Sequence, residues 1–305
     1  MSSRLLLIVN PRSANGATGR RWQRIEQRLR AILPQFDAVF TGRPGDATRL
    51  AAGAAAEYEV VTAVGGDGTI NEVVNGLVSE DGTLRAAALG IIPRGTGSDL
   101  VRSLRIPHSL DAAAAVLARG ERREVDIGRA RVCGFDGAPV TRYFINEAEL
   151  GMGAAVSDAV NRSSKRFGGA VSFLWGILAT VLRYRDRAVS FSIDGGPAET
   201  VLLNNAWIAN GSYSGGGIAS APQARLDDGL LDLVRVGHAG LVGRARAFAG
   251  LRSGAFVRLP HVSYGKVRCV NAVAATPVPV EVDGDLIGTL PATFDLLPVR
   301  LPVIS

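Results

Sequence analysis

The chain has 305 residues, 47% of them hydrophobic and 20% charged, with 37 glycines and a formal net charge of +6. A chain this long can bury about 75% of the surface its unfolded form exposes, and this composition excludes a disordered or low-complexity protein. The positive charge is nearly all arginine, since lysine occurs only at Lys165 and Lys266. The arginine fork suits phosphate, but the net charge fits nucleic acid, an anionic membrane surface or a phosphorylated ligand equally well.

From residue 4 to about 132 the pattern predicts strands alternating with helices. Leu5–Val9 reads as a first strand that stops at Asn10-Pro11, and Thr18–Leu33 as a helix with Trp22, Ile25, Leu29 and Ile32 at helical spacing. Ala38–Phe40 reads as a strand and Asp46–Glu57 as an alanine-rich helix. Next comes the most informative stretch, Val60-Val61-Thr62-Ala63-Val64-Gly65-Gly66-Asp67-Gly68-Thr69-Ile70-Asn71-Glu72. A β-branched strand runs into a glycine loop and then a helix start. Glycines let backbone N–H groups approach a ligand, and a helix N-terminus favours anions, so the chemistry this suits is phosphate. A ligand-free turn would also accommodate the glycines, but it needs neither Asp67 nor Thr69. Ala87–Ile92 is another buried strand, ending in Pro93-Arg94-Gly95-Thr96-Gly97-Ser98-Asp99. Leu110–Ala118 reads as a helix and Glu124–Val132 as an exit strand. This alternation implies a parallel sheet whose two glycine loops converge on one cleft at the strands' carboxyl ends.

From about 133 to 290 the texture becomes β-rich: Ala188–Ile193, Thr200–Ala209, Leu230–Val236, Val262–Val270 and Val278–Val282, punctuated by Asp194-Gly195-Gly196-Pro197 and Asp227-Asp228-Gly229. A second domain, a sandwich or barrel of mostly antiparallel strands, is expected. Phe167–Leu182 is apolar but shorter than the roughly 20 residues a membrane span needs. It is read as a packed helix, with a cover for a lipid tail at an anionic surface as the alternative. Gly151-Met152-Gly153 is read as a turn. Cys133 and Cys269 are expected to be free thiols in a reducing cytosol. Three scattered histidines, His108, His238 and His261, argue against a histidine metal site or a Ser-His-Asp triad. No Walker A sequence and no GxSxG elbow is present.

Four segments stand out in order: Asn10-Pro11-Arg12-Ser13, the Gly65–Asn71 loop, Pro93 to Asp99, and Glu281-Val282-Asp283-Gly284-Asp285. With Thr41, Gly45-Asp46, Val125-Asp126-Ile127-Gly128 and Arg225-Leu226-Asp227-Asp228-Gly229-Leu230-Leu231-Asp232, the chain resembles the bacterial diacylglycerol-kinase-like lipid kinases, relatives of sphingosine kinases and more distantly of NAD kinases. The resemblance covers nearly the whole chain. It implies an α/β N-terminal domain with a layered, mostly parallel sheet of the NAD kinase and phosphofructokinase type, plus a β-rich, sandwich-like second domain. The expected division is a nucleotide-binding domain over 1–132, rejoined by 291–305, and a lipid-substrate domain over 133–290.

The same resemblance implies that Thr41, Gly65, Gly66, Asp67, Gly68, Thr69, Ile70, Asn71 and Thr96 hold ATP. Asp67, Asp99 and Asp126 would sit around the nucleotide and its metal, with Arg102 as a phosphate partner. Arg225 and Leu230, through carbonyls, and the Asp228 carboxylate would form a structural Mg²⁺ site, although Asp-Asp-Gly is also an ordinary hairpin turn. The family pattern ends its late motif in Asp-Gly-Glu, the glutamate taking the lipid's proton; here Asp285 stands at that position, one methylene shorter. A 1 Å misplacement can cost on the order of 10²-fold in rate. Glu147 and Glu149 are additional carboxylates beside Asn146, read first as facing water, with contact to the cleft as the alternative. The expected activity is Mg²⁺-dependent transfer of phosphate from ATP to a lipid hydroxyl, as in phospholipid biosynthesis. It would be carried out by a cytoplasmic protein at an anionic membrane surface, without nucleic acid or a transmembrane segment, and with a homodimer left open. The alternatives are an NAD kinase-like small-molecule kinase, which Asn146-Glu147 favours, and a nucleotide- or lipid-binding homologue of weak activity.

Overall fold

A computed structural model describes residues 4–33, 35–95, 97–163 and 184–305. Strands β1 (Leu5–Val9), β2 (Phe36–Phe40), β3 (Val60–Gly65) and β4 (Ala88–Pro93) pair in the order β2-β1-β3-β4, every pair parallel. Every residue of β1, β3 and β4 is buried, as unbroken apolar runs in a covered parallel sheet require. The register aligns Val9 with Phe40 and Val64, and Gly65 with Pro93, so all four carboxyl ends open on one edge.

Four helices join these strands, α1 (Ala17–Arg20), α2 (Trp22–Arg30), α3 (Asp46–Ala54) and α4 (Asp67–Leu77), and α5 (Asp99–Ser103) and α6 (Leu110–Arg119) follow β4. The single helix expected over Thr18–Leu33 is broken at Arg21. Two anchors pull on it: Gly19 N–H donates to the Pro11 carbonyl, while Trp22, Ile25 and Leu29 turn into the first core.

The second half is antiparallel. It comprises β5 (Arg122–Cys133), β6 (Pro139–Phe144), β7 (Glu147–Gly151), α7 (Met152–Ser163), β8 (Arg187–Ile193), β9 (Glu199–Ala209), β10 (Leu231–Gly237), α8 (Leu241–Gly250), β11 (Val262–Val267), β12 (Cys269–Val273), β13 (Pro279–Val282) and β14 (Asp285–Ile304). Pairing runs β14-β12-β8-β9-β7-β13 and returns to β14, a closed ring around Phe191, Phe294, Leu150 and Val270. The strand expected over Val262–Val270 is two strands, because Asp194 Oδ1 takes the N–H groups of Arg268 and Cys269 and turns the chain there.

Strand β14 belongs to both halves. Ala292 and Phe294 pack in the ring's core, Leu297, Leu301 and Val303 in the first core, and Val303 pairs with Leu89 of β4. Among the described residues no helix is long and apolar enough to cross a membrane. The Phe167–Leu182 stretch lies outside the described residues.

Candidate active site

The first part of the site is built where β3 and β4 end. Gly66 caps α4 with extended backbone and no side-chain cap, leaving first-turn amides and the helix dipole open to an anion. Arg94 N–H donates to the Gly65 carbonyl at 2.6 Å. This holds the two glycine loops in contact, and a Cβ on Gly95 would stand 2.5 Å from Gly66 Cα. A Cβ on Gly68 would meet nothing within 4 Å, so the protein itself does not need a glycine there.

The loop after β1 closes the other side. Asn10 accepts from Arg12 N–H and donates to Thr69 Oγ1, both at 2.9 Å. Ala14 and Asn15 take φ of 50° and 54°, followed by Gly16 at 78°. Left-handed non-glycine residues are uncommon and cost energy, so their clustering beside a cleft marks a functional loop. These loops and the β13–β14 turn line a cavity of about 350 Å³ that includes Arg12, Asn15, Gly66, Gly68, Gly95 and Asp285.

Asp283 and Gly284 form that turn with φ of 45° and 91°, the positive pair a type I′ hairpin needs. The Asp283 carboxylate accepts four N–H groups. Asn146 (3.1 Å) and Glu147 (2.8 Å) donate to Oδ1; Ile145 (3.1 Å) and the Asn71 side chain (2.7 Å) donate to Oδ2. Burial pushes its pKa up to about 6 against those donors. With its acceptor positions filled, Asp283 clamps the hairpin to both halves.

Beyond the clamp lies a cavity of about 440 Å³ that shares Asp67, Gly97, Asp283 and Gly284 with the first. Asp99, Glu147 and Glu281 make its wall acidic. Burial pushes Glu281 up to about 7, despite a hydrogen bond from Ser157. Burial and the neighbouring Glu281 push Glu149 up to about 8. Glu147 is raised by burial and then by Glu149 and Glu281. The expectation that Glu147 and Glu149 face water is therefore overturned: both are buried, because β7 lies between β9 and β13 and has no free edge.

A third cavity, of about 230 Å³, is apolar, with Trp207, Ile218, Val236, Phe248 and Phe256 in its wall and Glu149 at its rim. The Trp207 and Phe256 rings meet edge to face at 5.6 Å. Trp207 of β9 is the register partner of Glu149, and Glu149 that of Glu281 on β13. Partners across a ladder share a face, so one row of side chains leads from apolar to acidic cavity.

Comparison with known proteins accords with this arrangement. The diacylglycerol kinase catalytic domain family matches residues 4–130, and the YegS C-terminal NAD kinase beta sandwich-like domain family matches residues 146–305. A diacylglycerol kinase of Staphylococcus carnosus is 30% identical over 96% of this chain and 92% of its own length. One from Staphylococcus aureus is 32% identical over 96% and 90%. The chain belongs to the diacylglycerol kinase family. The crystal structure of a diacylglycerol kinase from Bacillus anthracis superposes with a TM-score of 0.72 at 24% identity, covering 99% of this chain and 96% of that one, which shows the shared fold.

The residues that the family pattern singles out fall into three groups. Gly65, Gly66, Asp67 and Gly68 meet at the first cavity's glycine loop, and Thr41 follows β2 on the same sheet edge, its N–H donating to Val9. Thr96 lies outside the described residues. Thr69, Ile70 and Asn71 turn inward: Thr69 to Asn10, Ile70 into the core, Asn71 to Asp283.

Others are held by partners of their own. Arg102 pairs with Asp99 at 2.9 Å and lies over Tyr213, facing a separate cavity lined by Arg105, Arg123, Arg225 and Arg252. Burial and the nearby Asp67 raise the Asp99 pKa, with Gly216 N–H and Arg102 opposing. Asp126 accepts from Arg300 and from Gly229 N–H, both at 2.7 Å, and so pins the 226–229 turn.

The turn expected to bind structural Mg²⁺ already holds an ammonium. Lys266 Nζ sits 2.5 Å from Asp228 Oδ2 and 3.4 Å from Asp232, while Leu230 N–H donates to Asp228 Oδ1. The ammonium already neutralises the one side-chain ligand. Sequence reasoning missed Glu281 and the Ala14–Asn15 loop as lining residues. The spacing of Glu281, at the end of a strand, from Asp283 was the only available signal for Glu281.

Proposed function

We propose that the protein is a lipid kinase that transfers the γ-phosphoryl group of ATP to the hydroxyl of diacylglycerol or a related lipid. The single observation that carries this reading is the wall of Asp67, Gly97, Asp283 and Gly284, which is shared by a cavity rimmed with glycine-loop amides and an acidic cavity that leads on to an apolar one. Triphosphate on one side and a lipid hydroxyl on the other would bring their reacting atoms together there.

Phosphoryl transfer needs alignment and charge neutralisation more than covalent chemistry. Amides at the start of α4 and the 12–15 loop, with Arg12, would take the phosphates. Magnesium would arrive with the nucleotide as part of the substrate. Asp67 suits it, because its Oδ1 is buried without a protein donor while Oδ2 accepts from Ser98 N–H. A carboxylate of the β13–β14 hairpin would receive the acceptor's proton, and the family pattern puts forward Asp285. The acyl chains would fill the apolar cavity beside Trp207 and Phe256, with the protein seated on an anionic membrane surface. An apolar cavity on the acceptor side favours a lipid over NAD.

The test is incubation with labelled ATP, Mg²⁺ and a panel of lipid extracts and NAD, followed by separation of labelled products. Label in a lipid phosphate supports the reading; label in NADP alone, or in no acceptor, overturns it.

A further inference from the structure

The β13–β14 hairpin carries two acids without saturating backbone donors, and its pleat aims them at different places. Val282 and Asp285 are register partners and share one face; Glu281 and Leu286 share the other. Asp285 lines the nucleotide-side cavity and is exposed there; its charge acts on Glu281, and Glu72 and Arg142 are its further charged neighbours. Glu281 lines the acceptor-side cavity, 7% exposed, with Oε2 buried and without a hydrogen-bond partner.

We propose that Glu281, and not Asp285, is the proton acceptor for the lipid hydroxyl. This rests on the lipid-kinase reading and deepens it. Glu281 stands in the row that runs from Trp207 through Glu149, so a hydroxyl whose acyl chains fill the apolar cavity reaches Glu281 before it reaches the hairpin tip. The neighbouring Asp283 cannot serve, since four N–H groups occupy it. As the acceptor oxygen bonds to the γ-phosphorus, its proton passes to Glu281 Oε2. The bond from that phosphorus to the β,γ-bridging oxygen breaks, and ADP leaves with the electron pair. Glu281 then loses the proton to solvent through the open cavity. The groups facing it are Asp285 and Asp283 of its own hairpin, Glu147 and Glu149 of β7, Asp99 of α5, Asp67 of α4 and Ser157, all but Ser157 acids, so burial and these charges raise the carboxyl's proton affinity towards neutrality, where a general base works best.

The test uses the full chain, labelled ATP and dioleoylglycerol in phosphatidylglycerol vesicles. Glu281→Gln is expected to lower kcat by about 10²-fold or more, with the ATP dissociation constant unchanged by calorimetry. Asp285→Asn is expected to lower it less than about 10-fold and to keep an acid limb near pH 7 in the kcat profile. Glu281→Asp, which retains a carboxylate if the glutamine form folds poorly, is expected to fall between them with the acid limb kept. An active Glu281→Gln protein, or loss of the acid limb in Asp285→Asn, overturns the assignment alone. Wild-type protein that phosphorylates no lipid overturns the kinase reading and this assignment with it.

Discussion

The Asn71 side chain donates to Asp283 Oδ2 at 2.7 Å, joining residues 212 positions apart. Through this bond the helix that follows the glycine loop is tied to a hairpin of the β-rich ring, and the two polar cavities keep a common wall. Asp283→Ala leaves three buried backbone donors and the Asn71 amide without their acceptor. Each unsatisfied group costs about 1–3 kcal/mol, so the variant is expected to lose roughly 3 kcal/mol or more in urea unfolding. Asn71→Ala should cost about 1–2 kcal/mol.

Two glycines of the nucleotide loops should behave oppositely. Gly68→Ala adds a methyl to open space, so thermal stability should stay within about 0.5 kcal/mol while ATP affinity, measured by calorimetry, falls at least about 10-fold. Gly95→Ala forces a Cβ against Gly66, and its main effect should be a loss of stability of about 1–3 kcal/mol. Equal nucleotide affinity in Gly68→Ala and wild type would show that the ligand does not occupy this space.

The acidic wall makes stability depend on pH. Unfolded glutamates ionise near their ordinary value of 4.5, whereas native Glu281 and Glu149 hold protons to about 7 and about 8. Between those pH values the native state binds more protons than the unfolded one, so stability falls as pH rises from about 5 to about 8. Glu149→Gln keeps an oxygen for Asn205, whose Nδ2 donates to Glu149 Oε1 at 2.7 Å. It should flatten that decline and raise Tm at pH 8, read by calorimetric scans across the range.

Lys266 occupies the charge position at the Asp228 turn, so a chelator should leave Tm unchanged. Lys266→Met removes the only cation bonded to fully buried Asp232, leaving Tyr264 as its side-chain donor among the described residues. A loss of about 1–3 kcal/mol is expected, and added Mg²⁺ would restore stability only if the turn binds the ion.

Much of the nucleotide side was legible in the chain because its determinants are local. Val60–Gly65 followed by Asp67 announces strand, turn and helix within a dozen residues, and the strand ends at Asn10, Thr41 and Pro93 lie within a residue or two of those expected. Asp126 and Arg102 are expected near the nucleotide on family pattern, but that pattern says nothing of Arg300, Gly229 and Asp99, which hold them in place. The break at Arg268 follows from a side chain 74 positions away, beyond the reach of any window.

The order of apolar runs and glycines by itself determined the parallel sheet's strands and the phosphate-suited loops, since backbone sterics and helix-start electrostatics act over a few residues. Only tertiary structure decided which carboxylates are buried and where they point. In a strand a shift of one residue exchanges faces, and the ladder pairing that sets Glu281 beside Glu149 in the acidic wall comes from strands far apart in sequence.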